Sequence, residues 1–330
     1  MPTTYRRPPL RPLGRTGLCV SALGLGLAGL GRPAYMTLGR RLDLGFDRSV
    51  DAMRRRCHTL LDAAYAAGIT YVDAARSYGL AEPFLRAWCE ARHVPRGALT
   101  IGSKWGYVYT GAWQRQVEAQ EVKRLALDTL QWQTMESRAV LGERFMLSQI
   151  HSATIESGVL SNGQVLTELA RLRSEGLRIG ITVTGPQQAE TIDRALNIRV
   201  DGLELFETIQ ATWNLLEPSA ANALADAAAA GRGVIVKEVL ANGRLTDRHA
   251  GRQFAPLRAY AAGLDTSIET VAIAAAVAQP WATVVLSGAL TSHQLDADLG
   301  AFDLVPDIAP PRIAEPPERY WNKRAAMAWT

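Results

Sequence analysis

Four ionisable side chains of this 330-residue sequence stand at or just beyond the ends of short apolar runs: Asp73, Tyr78, Lys104 and His151. Lysine is scarce, with four in the whole chain at positions 104, 123, 237 and 323, so Lys104 after Ile101-Gly102-Ser103 is not background. Beside a carboxylate in a water-poor site, an ammonium can form an imine with a carbonyl or favour the ionised form of a neighbouring acid. Asp73 and Lys104 end consecutive candidate strands, which are neighbours in a parallel barrel, so they are expected to pair. The turn Ala74-Ala75-Arg76-Ser77-Tyr78-Gly79 brings a tyrosine over the same rim. A free phenol has a pKa of about 10. The nearby ammonium is expected to bring Tyr78 closer to neutral pH, where it could give and take a proton. His151 completes the rim. Any one of the four reads equally well as a structural hydrogen-bonder, whereas four on consecutive strand ends read as a site. A metal site of Asp73, Glu82 and His151 lacks the HxH or HExxH spacing. No GxSxG elbow supports a serine hydrolase.

Such groups need a scaffold that brings strand ends to one face. From residue 20 onward, apolar β-branched runs alternate with helix-patterned segments, as repeated βα units do. Candidate strands fall at 20–25, 69–73, 99–103, 145–151, 177–183, 202–206, 233–237 and 283–287, with helical stretches at 57–67, 82–92, 163–174, 218–230 and 267–278. Eight strands predict an α/β fold, a closed (β/α)8 TIM barrel forming one domain over 1–330. No GxGxxG opens a first helix with an acidic residue about twenty positions on, which argues against a Rossmann domain. A β-hairpin around 13–18 is expected ahead of the barrel. Two long connections, 27–56 and 105–144, belong on the active-site face. The second carries Trp105, Tyr107, Tyr109 and Trp113, either an apolar substrate wall or rings that pack the loop onto the barrel. The tail, 305–330, is Pro-rich from 306 to 317 and reads as an extended strap.

Composition narrows the partners. With 48% apolar and 21% charged residues and a net charge of +4, the chain is globular and lacks the footprint of a nucleic-acid binder. Arg40-Arg41 and Arg54-Arg55-Arg56 lie among Asp43, Asp47 and Asp51 and read as a solvated loop and helix start. Cys19, Cys57 and Cys89 have no CxxC spacing, so a reducing, cytoplasmic setting is expected. Arg6-Arg7 lacks the following h-region and cleavage site of an export signal. The apolar run 271–277 is too short for a bilayer, so no membrane partner is expected.

Tyr71-Val72-Asp73-Ala74-Ala75-Arg76-Ser77-Tyr78-Gly79, with Glu82 after it, resembles the aldo-keto reductase signature, and Gly102-Ser103-Lys104-Trp105-Gly106 resembles that family's lysine strand. The resemblance runs from Leu13-Gly14-Arg15-Thr16-Gly17 to about Leu304. It implies NADP(H), or alternatively NAD(H), bound extended across the barrel mouth, and a carbonyl or alcohol as small-molecule substrate. It assigns Tyr78 as proton donor, Lys104 and Asp73 as the pair that tunes it, and His151 as the residue that orients the substrate oxygen. For the cofactor it implies Gly26 and Leu27 at the nicotinamide ribose, and Gln210 and Thr182 at the carboxamide, with Val183 where the family has Asn. Lys237-Glu238 stands where an aromatic ring commonly stacks, in a cofactor segment that includes Leu240 and Gly243. Ser287, Gly288, Ala289, Gln294 and Asp298 lie in the adenosine region, Gln294 replacing the usual Arg and Asp298 the usual Asn. Arg244 or Arg248 is expected to supply the missing phosphate charge, and Lys237 to turn aside or pair with an acid. Trp105, Tyr107 and Trp113 are the expected substrate wall. A cofactor-binding regulatory barrel and a Schiff-base lyase are the rival functions.

Overall fold

The structure, a computed structural model, describes residues 7–249, 251–305 and 308–330. Arg6 of the arginine pair lies outside them. Eight parallel strands close into a barrel: β1 (Leu23–Gly26), β2 (Tyr71–Asp73), β3 (Thr100–Trp105), β4 (Phe145–Ala153), β5 (Arg178–Val183), β6 (Thr208–Thr212), β7 (Gly233–Lys237) and β8 (Val284–Ser287). Each pairs with its sequence neighbours and β8 pairs with β1. Their residues are almost all buried, because a parallel barrel covers its strands on both faces; the strands therefore read as continuous apolar runs.

The crossovers are α1 (Arg40–Leu44) and α2 (Val50–Ala66) after β1, then α3 (Ala81–Ala91), α4 (Leu127–Leu141), α5 (Gly163–Ser174), α6 (Gln188–Leu196) and α7 (Ala221–Ala229). After β7 come α8 (Ala255–Gly263) and α9 (Ile268–Val277), and after β8 come α10 (Ser292–Leu304) and α11 (Pro317–Ala325). The expected hairpin pairs Leu10–Pro12 with Cys19–Ser21, and its Leu13 and Val20 pack with Tyr71, Leu147, Ile235 and Val284 in one buried cluster. Helix α9 is buried at every residue but Glu269, which accounts for the apolar run 271–277. No helix among the described residues is long and apolar enough to cross a membrane.

Four expectations are corrected. The sixth barrel strand is Thr208–Thr212, not 202–206; Leu203–Glu204 instead pairs antiparallel with Arg199–Val200 across Asp201 and Gly202, both at positive φ, as a tight hairpin requires. The real strand was disguised because its polar side chains face the site: Gln210 reaches Asp73 and Thr212 reaches Lys237. The connection 105–144 is not a plain loop but a β-hairpin, Tyr107–Tyr109 with Glu121–Lys123, followed by α4. That helix lacked an apolar stripe because its buried face includes Thr129, Gln133, Thr134 and Ser137, with Gln133 accepting from Gly106 N and donating to Tyr107 O. Arg40 is not solvated. It is fully buried and donates to the carbonyls of Gly29, Arg32, Pro33 and Thr330, and burial brings its pKa down to about 9. Finally, the tail is not extended throughout. After 308–316 it forms α11 and then returns over the first loop, where Tyr35 and Thr330 exchange backbone hydrogen bonds, both 3.2 Å.

Candidate active site

The ends of β2, β3 and β4 bring the four predicted side chains together. Lys104 Nζ pairs with Asp73 Oδ2, donates to the carbonyl of Ala74 at 2.9 Å, and donates to the Tyr78 hydroxyl at 3.3 Å. With its oxygen accepting from Lys104, Tyr78 keeps its own proton free to donate elsewhere. The rings of Tyr78 and His151 meet edge to face at 5.6 Å, and Tyr107 also meets His151 edge to face, at 4.9 Å. Ser77 Oγ lies 3.5 Å from His151 Nδ1. If that hydroxyl donates, the imidazole carries its proton on Nε2, an assignment from the hydrogen-bond pattern.

The turn that carries Tyr78 is held by the loop after β1. A Cβ on Gly31 would lie 2.2 Å from the Tyr78 carbonyl, and one on Gly79, at φ +61, would lie 2.6 Å from the Gly31 carbonyl. The two backbones touch here, so neither position accepts a side chain without moving Tyr78. Beyond Gly31 comes Arg32, which the sequence reading passed over. Its guanidinium donates to Ser77 O at 2.9 Å and to Glu121 Oε2 at 2.6 Å. It also stacks on Tyr35, Tyr78 and Trp329. The signal available in the sequence was a charged residue interrupting a glycine-rich apolar run.

Electrostatics correct one expectation. Tyr78 is not brought toward neutrality: burial and then the Asp73 charge raise it well above 10, with Arg32 opposing. The Lys104 charge is engaged by Asp73, so the phenol remains a protonated acid. His151 is pushed the other way, well below its usual value, by burial and then by Lys104, Arg32, Lys237 and Lys123. The site therefore holds a neutral phenol beside a neutral imidazole.

The rest of the barrel rim, from β5 round to β1, carries the residues expected to meet a cofactor. Gly26 ends β1, and Leu27 N donates to Asp73 O. Thr182 Oγ1 accepts from Ser152 N at 2.6 Å, leaving its hydroxyl hydrogen unused. Gln210 Nε2 donates to Asp73 Oδ1 at 2.9 Å, while its amide oxygen has no hydrogen bond among the described residues. Lys237 Nζ donates to Thr212 Oγ1 at 3.0 Å, and its nearest acid, Glu238, is 3.9 Å away. Glu238, at φ +56, is gripped instead by Arg324 of α11. Leu240 and Gly243 form the turn behind it. Arg324 was another residue without a sequence signal, since its partner is 86 positions away.

Past β8, Ser287 Oγ donates to Asp298 at 2.5 Å and accepts from Ala289 N, and the Gln294 side chain caps Leu290 N. Among the described residues, no heavy atom beyond its chain neighbours lies within 4 Å of a Cβ built on Gly288. Arg244 and Arg248, expected to offer free charge, are paired with Glu315 and Asp43. Burial pushes the Asp298 carboxyl up to about 7. Its folded pKa lies above the unfolded value of about 3.9, so stability is full below that value and declines as pH rises toward the folded pKa. Asp298→Asn keeps an acceptor for Ser287 and removes the charge. We expect it to stabilise the protein by about 4 kcal/mol at pH 8 and by almost nothing at pH 4, as read by denaturant unfolding at the two pH values.

Of the aromatic wall, only Tyr107 touches the four-residue cluster through a ring contact, on His151. Trp105 is buried in the main core, and Trp113 packs on Phe84 and donates to Arg48 O, fastening loop to loop. A cavity of about 770 Å³ lies between 115–121 and Trp329, with Glu121, the partner of Arg32, in its wall.

The sequence profile of the Aldo/keto reductase family matches residues 23–309. No curated protein sequence matches the chain. Among solved structures, one assigned as an aldo-keto reductase from Pseudomonas aeruginosa is 24% identical, with a TM-score of 0.65 over 92% of this chain and 98% of that one. The holo form of aldo-keto reductase AKR11C1 from Bacillus halodurans is 20% identical, with a TM-score of 0.68 over 96% of each chain.

Proposed function

The chain belongs to the aldo/keto reductase family and is an oxidoreductase acting between carbonyl and alcohol with a nicotinamide cofactor; from that premise we propose that Tyr78 is its general acid, NADP(H) its cofactor, and a small aldehyde or ketone its substrate. The observation that carries this reading is the 3.3 Å hydrogen bond from Lys104 to the Tyr78 oxygen, which aims the phenolic proton away from the ion pair.

A carbonyl oxygen placed against Tyr78 receives that proton, and His151 Nε2 donates a hydrogen bond to the same oxygen as negative charge develops. Lys104 then stabilises the phenolate left on Tyr78, with Asp73 fixing the ammonium. A bound nicotinamide dinucleotide would supply the hydride. The residues fit one: the unused amide oxygen of Gln210 and hydroxyl hydrogen of Thr182 complement a carboxamide. Gly26, Leu27, Ser287, Gly288, Ala289 and the Lys237–Gly243 turn would border the rest, as one domain over 1–330. Phosphate preference is supported by Arg55 and Arg56, which line a cavity of about 380 Å³ with Leu290, Thr291 and Ser292. Its acids include Asp43, already paired with Arg248, and Asp47. The free thiols of Cys19, Cys57 and Cys89 accord with a cytoplasmic setting. Oxidation of NADPH and NADH should be followed with a panel of aldehydes and ketones. NADPH should be favoured at least tenfold in kcat/KM, and the Arg55→Gln/Arg56→Gln variant should lose most of that margin, about 1.4 kcal/mol. Equal use of both cofactors would remove NADP from the proposal.

A further inference from the structure

Lys237 is a cation of the barrel mouth whose charge the proposed proton transfer does not use. It ends β7, which lies four strands from β3 around the ring, so it faces Lys104 across the opening. The Tyr78 and His151 side of the mouth must take the carbonyl. The other reactant must therefore lie over the arc from β5 to β8, where Thr182, Gln210 and Lys237 stand. The Lys237 side chain is 14% exposed, and its direct hydrogen bond is to a neutral hydroxyl, Thr212. Its nearest carboxylate, Glu238, is 3.9 Å away and has both oxygens engaged by Arg324. One negative charge thus serves two cations, and the local sum is positive.

Resting on the nicotinamide reading above, we propose that Lys237 discriminates between the redox states of the cofactor, disfavouring the oxidised ring, which carries a positive charge, relative to the reduced ring, which carries none. The repulsion acts at short range in a poorly solvated site, where it is little screened. It leaves the enzyme loaded with reduced cofactor when both forms are present and speeds departure of the oxidised form. An aromatic ring at this position would stack on both forms; a buried ammonium is sensitive to the difference.

The charge at Lys237 has a limit that sets the size of the effect. Burial brings its pKa down to about 8, with Glu238 opposing and Arg324 and Lys104 adding to the fall. At pH 7 the lysine can escape repulsion by releasing its proton, which caps the discrimination at about tenfold. The charged groups facing it are Asp73 from β2, Lys104 from β3, His151 from β4, Arg324 from α11 and its own neighbour Glu238. Glu238 is held near 2, Arg324 is raised by the Glu238 charge, and His151 lies far below its usual value. Asp73 and Lys104 are paired with each other. Of Lys237, Glu238, Arg324 and His151, Lys237 is therefore the one that changes charge between pH 7 and 9.

Dissociation constants of NADPH and NADP⁺ should be measured by calorimetry, without turnover, for the wild type, Lys237→Met and Lys237→Arg. The phosphate is common to both cofactors and cancels in their ratio. The wild type should bind the reduced form about tenfold more tightly at pH 7, with the ratio shrinking toward one at pH 9. Lys237→Met should abolish the ratio by improving NADP⁺ affinity, whereas Lys237→Arg should keep it and no longer lose it at pH 9. A wild-type ratio that does not change with pH overturns the inference even if a variant fails to fold. An unchanged ratio in Lys237→Met overturns it while leaving the cofactor assignment standing. No binding of either cofactor by the wild type removes both.

Discussion

Tyr78→Phe should lower kcat/KM for carbonyl reduction by at least a thousandfold, about 4 kcal/mol of transition-state stabilisation, while changing the dissociation constant of the reduced cofactor by less than about threefold. The ring keeps its edge contact with His151 and its stack under Arg32. Lys104 keeps Asp73 and the Ala74 carbonyl. What disappears is the proton that Tyr78 would transfer to the substrate oxygen, so the loss should fall on kcat rather than on folding. Comparable turnover by the variant would show that another group supplies the proton, with His151 the next to examine.

The second large effect concerns stability as well as activity. Lys104 and Asp73 are 2% and 3% exposed, so removing the ammonium alone leaves a carboxylate in the barrel with Gln210 as its remaining side-chain donor. Lys104→Met should cost about 3–5 kcal/mol in unfolding free energy, the usual penalty for stranding one partner of a buried pair. Adding Asp73→Leu removes the stranded charge, so the double variant should regain most of that stability. It should nonetheless stay inactive, since nothing then stabilises a phenolate on Tyr78. Denaturant unfolding of the three proteins, with activity measured in parallel, separates the two roles. If the double variant is no more stable than Lys104→Met, the cost is one of packing rather than charge.

The grouping of Asp73, Tyr78, Lys104 and His151 was legible in the sequence because short strands in a barrel put their last residues on one face. Asp73 and Lys104 could be paired from strand order alone, and the structure pairs them. The state of Tyr78 was not legible, since it depends on how deeply the rim is buried and on where the Lys104 charge is directed. β6 and α4 were misread for a shared reason: their buried faces are polar, so hydrophobic periodicity had nothing to report. The roles of Arg32, Arg40 and Arg324 were hidden because each is set by contacts with residues remote in sequence. Arg32 bonds to Glu121, Arg40 to Thr330, and Arg324 to Glu238. Through them the tail closes over the first loop, and Tyr78 and His151 are each left 8% exposed.

The central claim is that this barrel transfers a hydride to a carbonyl carbon while Tyr78 protonates the oxygen. The most direct test follows deuterium from the C4 position of reduced cofactor in single turnovers with a carbonyl substrate selected from the panel. The account predicts that the wild type places the label on the carbinol carbon, and that Tyr78→Phe does so at least a thousandfold more slowly with cofactor still bound. Alcohol formed without label on that carbon, or label transferred by Tyr78→Phe at the wild-type rate, would contradict it.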